Sequence, residues 1–299
     1  MKLRLNPIVK KDLQVAARSM RISWGLFAYE ALLAMAFLLA ISLIQSIHGY
    51  LGAGNIYSSL IYLFPVLAVT QIGIVSLVMP ILTASSISGE RERQTLDLML
   101  TTCMSPFSIV VGKVISAVIR ILFFVVGSLP IMALSFVVGG LGWSKLFYFV
   151  LAVILQSVLS GSIGIFCSAV CRRSISAVLL SFVFYFIIYC LTAVPLLILA
   201  IFGVDFVGEA LLPLLVNPFL FFEEFFALLM TGTSLFGGSG FTFASDDVGI
   251  ITRLLTYDKV WVYASAVSIL LLSLVFMLLA AWKVNPLNAP GVRRTKKAG

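Results

Sequence analysis

Long apolar runs separated by short polar breaks dominate this chain. Runs at 23–47, 57–83, 107–138, 146–170, 175–202 and 260–282 are each long enough, at about 1.5 Å per helical residue, to cross a hydrocarbon layer about 30 Å thick. In lipid, backbone N–H and C=O groups must find partners within the segment. Runs of this length therefore predict helices, and the chain reads as an all-α membrane protein with six transmembrane helices. The third run is too long for one perpendicular crossing and carries Lys113 and Arg120 in its first half. Its start is predicted to project out of the lipid, and Pro130 is placed to kink it further on. Between the second and third runs stand Glu90, Arg91, Glu92, Arg93 and Gln94 in succession. That density of polar side chains does not belong in lipid, so residues 88–102 are predicted to form a short charged helix facing water.

The flanks predict smaller elements. Residues 1–22 open with Asn6-Pro7, suited to a helix start, and can gather Ile8, Val9, Leu13, Val15, Ala16 and Met20 on one broad face. This segment reads as an amphipathic helix lying in the membrane interface. Residues 203–258 hold two apolar runs too short to cross, 210–216 and 218–230, separated by Asn217-Pro218. They are predicted as external re-entrant or interface-embedded helices before the last span, with a Gly/Ser/Thr-rich loop at 231–247. The whole chain thus reads as one domain, 1–299: the interfacial helix, five spans over 23–202, the external region 203–258, the last span over 259–282 and a basic tail, 283–299.

Composition agrees: mean hydropathy is +1.15, and only 11% of the 299 residues are charged, which excludes an ordinary soluble enzyme. The net charge of +8 sits at the edges of the apolar runs rather than on one face, the pattern of topology selection and not of nucleic-acid binding. Lys2, Arg4, Lys10, Lys11, Arg18, Arg21, Arg91, Arg93, Lys113, Arg172, Arg173, Lys283 and the basic tail all fall on one side. The other side holds Lys145, Arg253 and Lys259 with a surplus of acids, so both termini are predicted to be cytosolic. Residues 1–21 lack the short apolar core and small-residue site of a cleavable signal peptide. Cys103, Cys167, Cys171 and Cys190 fall outside external loops, so no disulfide is expected, and with His48 the one histidine no metal site is expected either.

One block carries more specific information. The run Gly89-Glu90-Arg91-Glu92-Arg93-Gln94-Thr95-Leu96-Asp97-Leu98-Met99-Leu100-Thr101-Thr102, followed by Ser105-Pro106 and Gly112-Lys113, resembles the ABC-2 family of ATP-binding-cassette permeases. Gln94 stands where that family commonly has glycine, and Cys103-Met104 precede the Ser-Pro pair. The resemblance implies the transmembrane subunit of an ATP-driven exporter in the bacterial plasma (inner) membrane. It also implies two copies, or one copy with a related permease, joined to separate ABC ATPase subunits that bind the ATP and Mg. No cofactor is then expected in this chain, which has no P-loop: Gly112-Lys113 is followed by Val114 and lacks the upstream glycine. By the same resemblance, Glu90, Arg91, Glu92, Arg93, Thr95, Leu96, Asp97, Met99 and Leu100 form a coupling helix that contacts the ATPase. Read as a helix, Leu96, Met99 and Leu100 make an apolar stripe, while Glu90 and Glu92 occupy an N-terminal turn favoured by the helix dipole.

Three further sets of residues stand out. Glu30 in the first span and Arg120 in the third lie at comparable counted depth and are predicted to pair, since ions inside a membrane seldom stand alone. Ser160, Gly164 and Ser168, spaced by four, form a small-residue face that permits close helix approach within the chain or across a dimer. Glu223-Glu224, ringed by phenylalanines, can be read as a catalytic acid pair. Without an accompanying histidine, however, it reads better as interfacial acids shaping the exit of a pathway. A stand-alone channel or secondary carrier is the competing reading, disfavoured by the scarcity of ionisable groups in the spans. A non-transporting module driven by the same kind of ATPase is another. The apolar spans lean toward an amphipathic or peptide-like cargo.

Overall fold

The computed structural model describes residues 20–51, 63–95, 105–138, 143–194, 213–232 and 259–285, with Val9 and Gln14 singly. The interfacial helix over 1–22, most of the external region and the basic tail lie outside the described residues. Within them the chain is helical and without strands. The long helices are α1 (Met20–Leu51), α2 (Leu63–Glu92), α3 (Pro106–Val138), α4 (Trp143–Val170) and α5 (Ser174–Phe186), the last continued by a π-turn, Ile187–Leu191. A short helix, α6 (Pro218–Thr231), precedes α7 (Val260–Val284). α1 to α5 and α7 are the six helices long and apolar enough to span a membrane.

Helix starts follow local chemistry. Ser105 Oγ accepts from Ser108 N (3.2 Å) ahead of Pro106, whose missing N–H costs nothing at the first helical position. Asn217 does the same for α6, its Oδ1 accepting from Phe219 N (2.9 Å), and Gly232 ends that helix at φ 78°. The Asn217 Nδ2 also donates to Tyr189 O (3.1 Å), a carbonyl inside the π-turn. Both internal prolines, Pro80 in α2 and Pro130 in α3, are accommodated without ending the helix.

α4 is the central helix: 67% of its membrane-spanning window is buried against 17% for peripheral α1. Its closest neighbours are α2 and α7. Phe166, Phe184 and Phe276 lock α4, α5 and α7 together with ring centroids 5.4–5.9 Å apart. Phe64, Phe149 and Phe226 join α2, α4 and α6 in the same way. Ser265 and Ser268 on α7 both donate to Leu215 O (2.8 and 2.6 Å), tying the turn before α6 to the last span. A smaller core of Ile87, Val110, Val114, Ile165, Ala169 and Ala280 closes the end where Arg91, Lys113, Arg172, Arg173 and Lys283 gather, here called the basic end.

Gln71 of α2 is fully buried, and neither its amide oxygen nor its nitrogen has a partner among the described residues. An orphaned amide costs about 1–3 kcal/mol. Gln71→Met, which keeps the volume and removes the polar atoms, is expected to raise thermal stability in detergent. Labelling of buried Cys167 by a thiol-reactive dye on heating reports the change, and an unchanged or lower midpoint would show that the amide is satisfied.

Candidate functional site

Glu90, Arg91 and Glu92 do not open a separate helix. α2 continues through the water-facing sequence to Glu92, well past the apolar run, because hydropathy marks the lipid boundary and not the end of the hydrogen-bond ladder. Glu90 and Glu92 therefore sit at the negative end of the α2 dipole, which corrects the N-terminal placement expected above. Each acid is compensated from another helix. Thr95, exposed, follows the helix end, while Leu96, Asp97, Met99 and Leu100 lie outside the described residues.

Three consecutive side chains at this end reach three different helices. Glu90 Oε1 pairs with Lys113 Nζ of α3 at 2.7 Å, both side chains largely buried, with Glu90 Oε2 left without a partner among the described residues. Arg91 donates to Cys171 O (2.9 Å) and Ala169 O (3.3 Å), carbonyls at the C-terminal end of α4. Glu92 accepts from Ser174 N (2.9 Å) and Ser174 Oγ (2.8 Å) at the start of α5, a helix whose own N-cap residue, Arg173, supplies no capping side chain. A cation thus meets one helix C-terminus and an anion the next helix N-terminus, each complementing the dipole it faces. The sequence holds no signal for these contacts, since three of the five partner atoms belong to the backbone.

The helix then stops sharply. Thr95 N bonds Glu90 O (2.9 Å) and Gln94 N bonds Arg91 O (3.1 Å), the paired closing bonds of a Schellman end. Gln94 takes the left-handed conformation this requires, φ 57°. That is where the ABC-2 pattern commonly has glycine, and a side chain there costs on the order of 1 kcal/mol. Arg93, exposed, caps nothing in this arrangement.

The small-residue face of α4 packs within the chain, against α2. A Cβ on Gly164 would stand 2.0 Å from Thr83 Oγ1 and 3.3 Å from the Ala84 backbone nitrogen. Ser168 Oγ lies 2.9 Å from both Ile87 N and Ser88 N, directly under the charged end. Ser160 Oγ is 3.3 Å from the Gln156 amide nitrogen. The Ser/Gly spacing thus brings the two backbones together immediately below the Glu90–Glu92 clamp.

Glu30 and Arg120 are not brought together. Glu30 Oε1 nestles against Gly127 of α3, where a Cβ would come within 2.8 Å, and has no hydrogen-bond partner among the described residues. Arg120 lies about two turns nearer the basic end, its Nε donating to Ser116 O (3.3 Å). Gly127, and not Arg120, reaches the depth of Glu30, so the start of α3 projects further from the lipid than its sequence suggests.

Glu223 and Glu224 lie on α6 and separate in environment: Glu224 is fully buried, whereas Glu223 is exposed at the rim of a cleft of about 420 Å³ between α2, the π-turn and α6. They do not converge as a catalytic pair. The cleft adjoins a polar group that sequence reading missed. Gln156 Nε2 lies 2.7 Å from Ser76 Oγ and 2.8 Å from Tyr189 OH, joining α2, α4 and α5. A lone glutamine inside the apolar run 146–170 was the available signal.

A comparison with curated proteins finds no match. The family model described as "ABC-2 family transporter protein" matches residues 6–284, taking in all the described helices, the helix end at Gln94 and the α2–α4 seam beneath it. Six spanning helices and a match over nearly the full length lead to one conclusion: this chain belongs to the ABC-2 transporter family.

Proposed function

We propose that this chain is the membrane-spanning subunit of an ATP-driven exporter, moved by separate ABC ATPase subunits that dock on the connector between α2 and α3. On this reading the basic end faces the cytosol of a bacterial cell, both termini lie there, and the working unit pairs two such chains. The chain itself carries no P-loop, so nucleotide and Mg belong to the partner. The observation that supports this reading best is the clamp. A push on the connector reaches α2 through its rigid Schellman end, and Glu90, Arg91 and Glu92 deliver it at once to α3, α4 and α5. One largely buried ion pair and two dipole-matched contacts make those four helices respond together rather than one at a time. The cargo is an amphipathic or peptide-like molecule, in keeping with spans that offer few polar groups.

Two kinds of variant separate docking from coupling. Leu96→Asp with Met99→Asp is expected to abolish co-purification of the ATPase. Arg91→Ala with Glu92→Ala is expected to leave the ATPase bound and hydrolysing while cargo export in inverted vesicles falls about tenfold or more, the scale of losing roughly 1.4 kcal/mol of coupling. Export unchanged in the second variant, or an ATPase retained by the first, refutes the assignment.

A further inference from the structure

We propose that the cleft between α2, the π-turn and α6 binds the apolar body and positive charge of an amphipathic cation. The cleft lies at the end opposite the basic one, walled by Val69 and Ile72 of α2 and by Phe222 and Phe226 of α6. A space of about 420 Å³ falls within the range of small-molecule sites, which are mostly apolar with a few placed polar groups. Here the polar groups are few and of one character.

Glu223 is the single ionisable side chain in the lining apart from the Tyr189 phenol, and it has no ion-pair or hydrogen-bond partner among the described residues. The Phe219, Phe222, Phe226 and Tyr189 rings also line the cleft, and aromatic rings can hold a cation over their faces. Both terms attract a cation and repel an anion. Ser76 and Tyr189 both accept from Gln156, which fixes their hydroxyls at the cleft wall. Charge complementarity therefore selects the occupant: neither a lipid tail nor an apolar face of a second copy would use the carboxylate.

This deepens the cargo side of the proposed function and rests on it only for the claim that the ligand is moved. Binding is measured on the chain alone, without an ATPase, so failure of binding and failure of coupling are separate results. Gly73 lines the cleft, and a Cβ built there meets nothing within 4 Å. Gly73→Leu therefore fills the space without forcing the backbone, and its folding is checked by an unchanged Cys167 labelling midpoint.

The probes are tetraphenylphosphonium and tetraphenylborate, alike in size and apolar surface but opposite in charge. They are used in equilibrium dialysis against the full chain in nanodiscs, with empty nanodiscs subtracted. The wild type is expected to bind the cation more tightly than the anion. Glu223→Gln is expected to weaken the cation about fivefold, the scale of one partly exposed charge interaction, and to leave the anion unchanged or stronger. Gly73→Leu is expected to weaken the cation about tenfold or more, as loss of the apolar pocket requires. Equal binding of both probes, or equal cation binding by wild type and Gly73→Leu, overturns the proposal and leaves a lipid-filled groove. A change of oligomeric state in Gly73→Leu overturns it in favour of a second copy covering the cleft.

Discussion

Lys113→Met is expected to lower stability by about 3–5 kcal/mol, because it strands the Glu90 carboxylate in a largely buried site with no cation opposite. One oxygen of that carboxylate already lacks a partner among the described residues, so no local group stands ready to take over. The informative comparison is the double variant, Glu90→Gln with Lys113→Met. Removing both charges abolishes the desolvation penalty as well as the attraction, and most of the loss should return. Thermal midpoints from Cys167 labelling give both quantities. If the double variant is as unstable as the sum of the singles, the ion pair is not what holds α3 to α2. Export should behave differently from stability, failing in the double variant as well if the pair transmits force.

The second large effect is at Gly164. A methyl group there would overlap Thr83 Oγ1 at 2.0 Å and press on the Ala84 backbone nitrogen at 3.3 Å. Rotating Thr83 relieves the first contact and leaves the second, so α2 and α4 must part. Parting them stretches the bonds from Ile87 N and Ser88 N to Ser168 Oγ, one turn further along. Gly164→Ala is expected to cost about 3 kcal/mol, the upper end of ordinary overpacking. Gly161 is the control on the same helix. Its added carbon meets the Met79 methyl at 3.0 Å, the tip of a flexible side chain that can turn aside. Gly161→Ala should therefore stay within about 1 kcal/mol of wild type. Equal losses at the two glycines would mean that the seam is loose and that its glycines serve no close approach.

The number and class of the helices could be read from run length alone, since lipid leaves the backbone no alternative. Where helices end could not. α2 runs on to Glu92 because Glu and Arg continue a helix in water as readily as leucine does in lipid. Its stop depends on Gln94 adopting a conformation that nothing about glutamine announces. The spacing of Ser160, Gly164 and Ser168 marked a face for close packing, yet the partner, α2, emerged only with the tertiary structure. Glu30 and Arg120 failed as a pair because depth was counted from the ends of apolar runs, and the start of α3 projects further from the lipid than its sequence suggests. The Arg91 and Glu92 contacts were invisible for a different reason: carbonyls and amides at helix ends belong to every helix, and no residue type names them.

One carboxamide, Asn217, begins the 218–231 helix and holds a carbonyl inside the wide turn of the fifth span. Rewinding that turn to regular α-geometry would screw everything beyond Leu191 by about 100° and shift it by about 1.5 Å. The short helix and the wide turn are thus joined through one side chain, so neither can shift without breaking that bond.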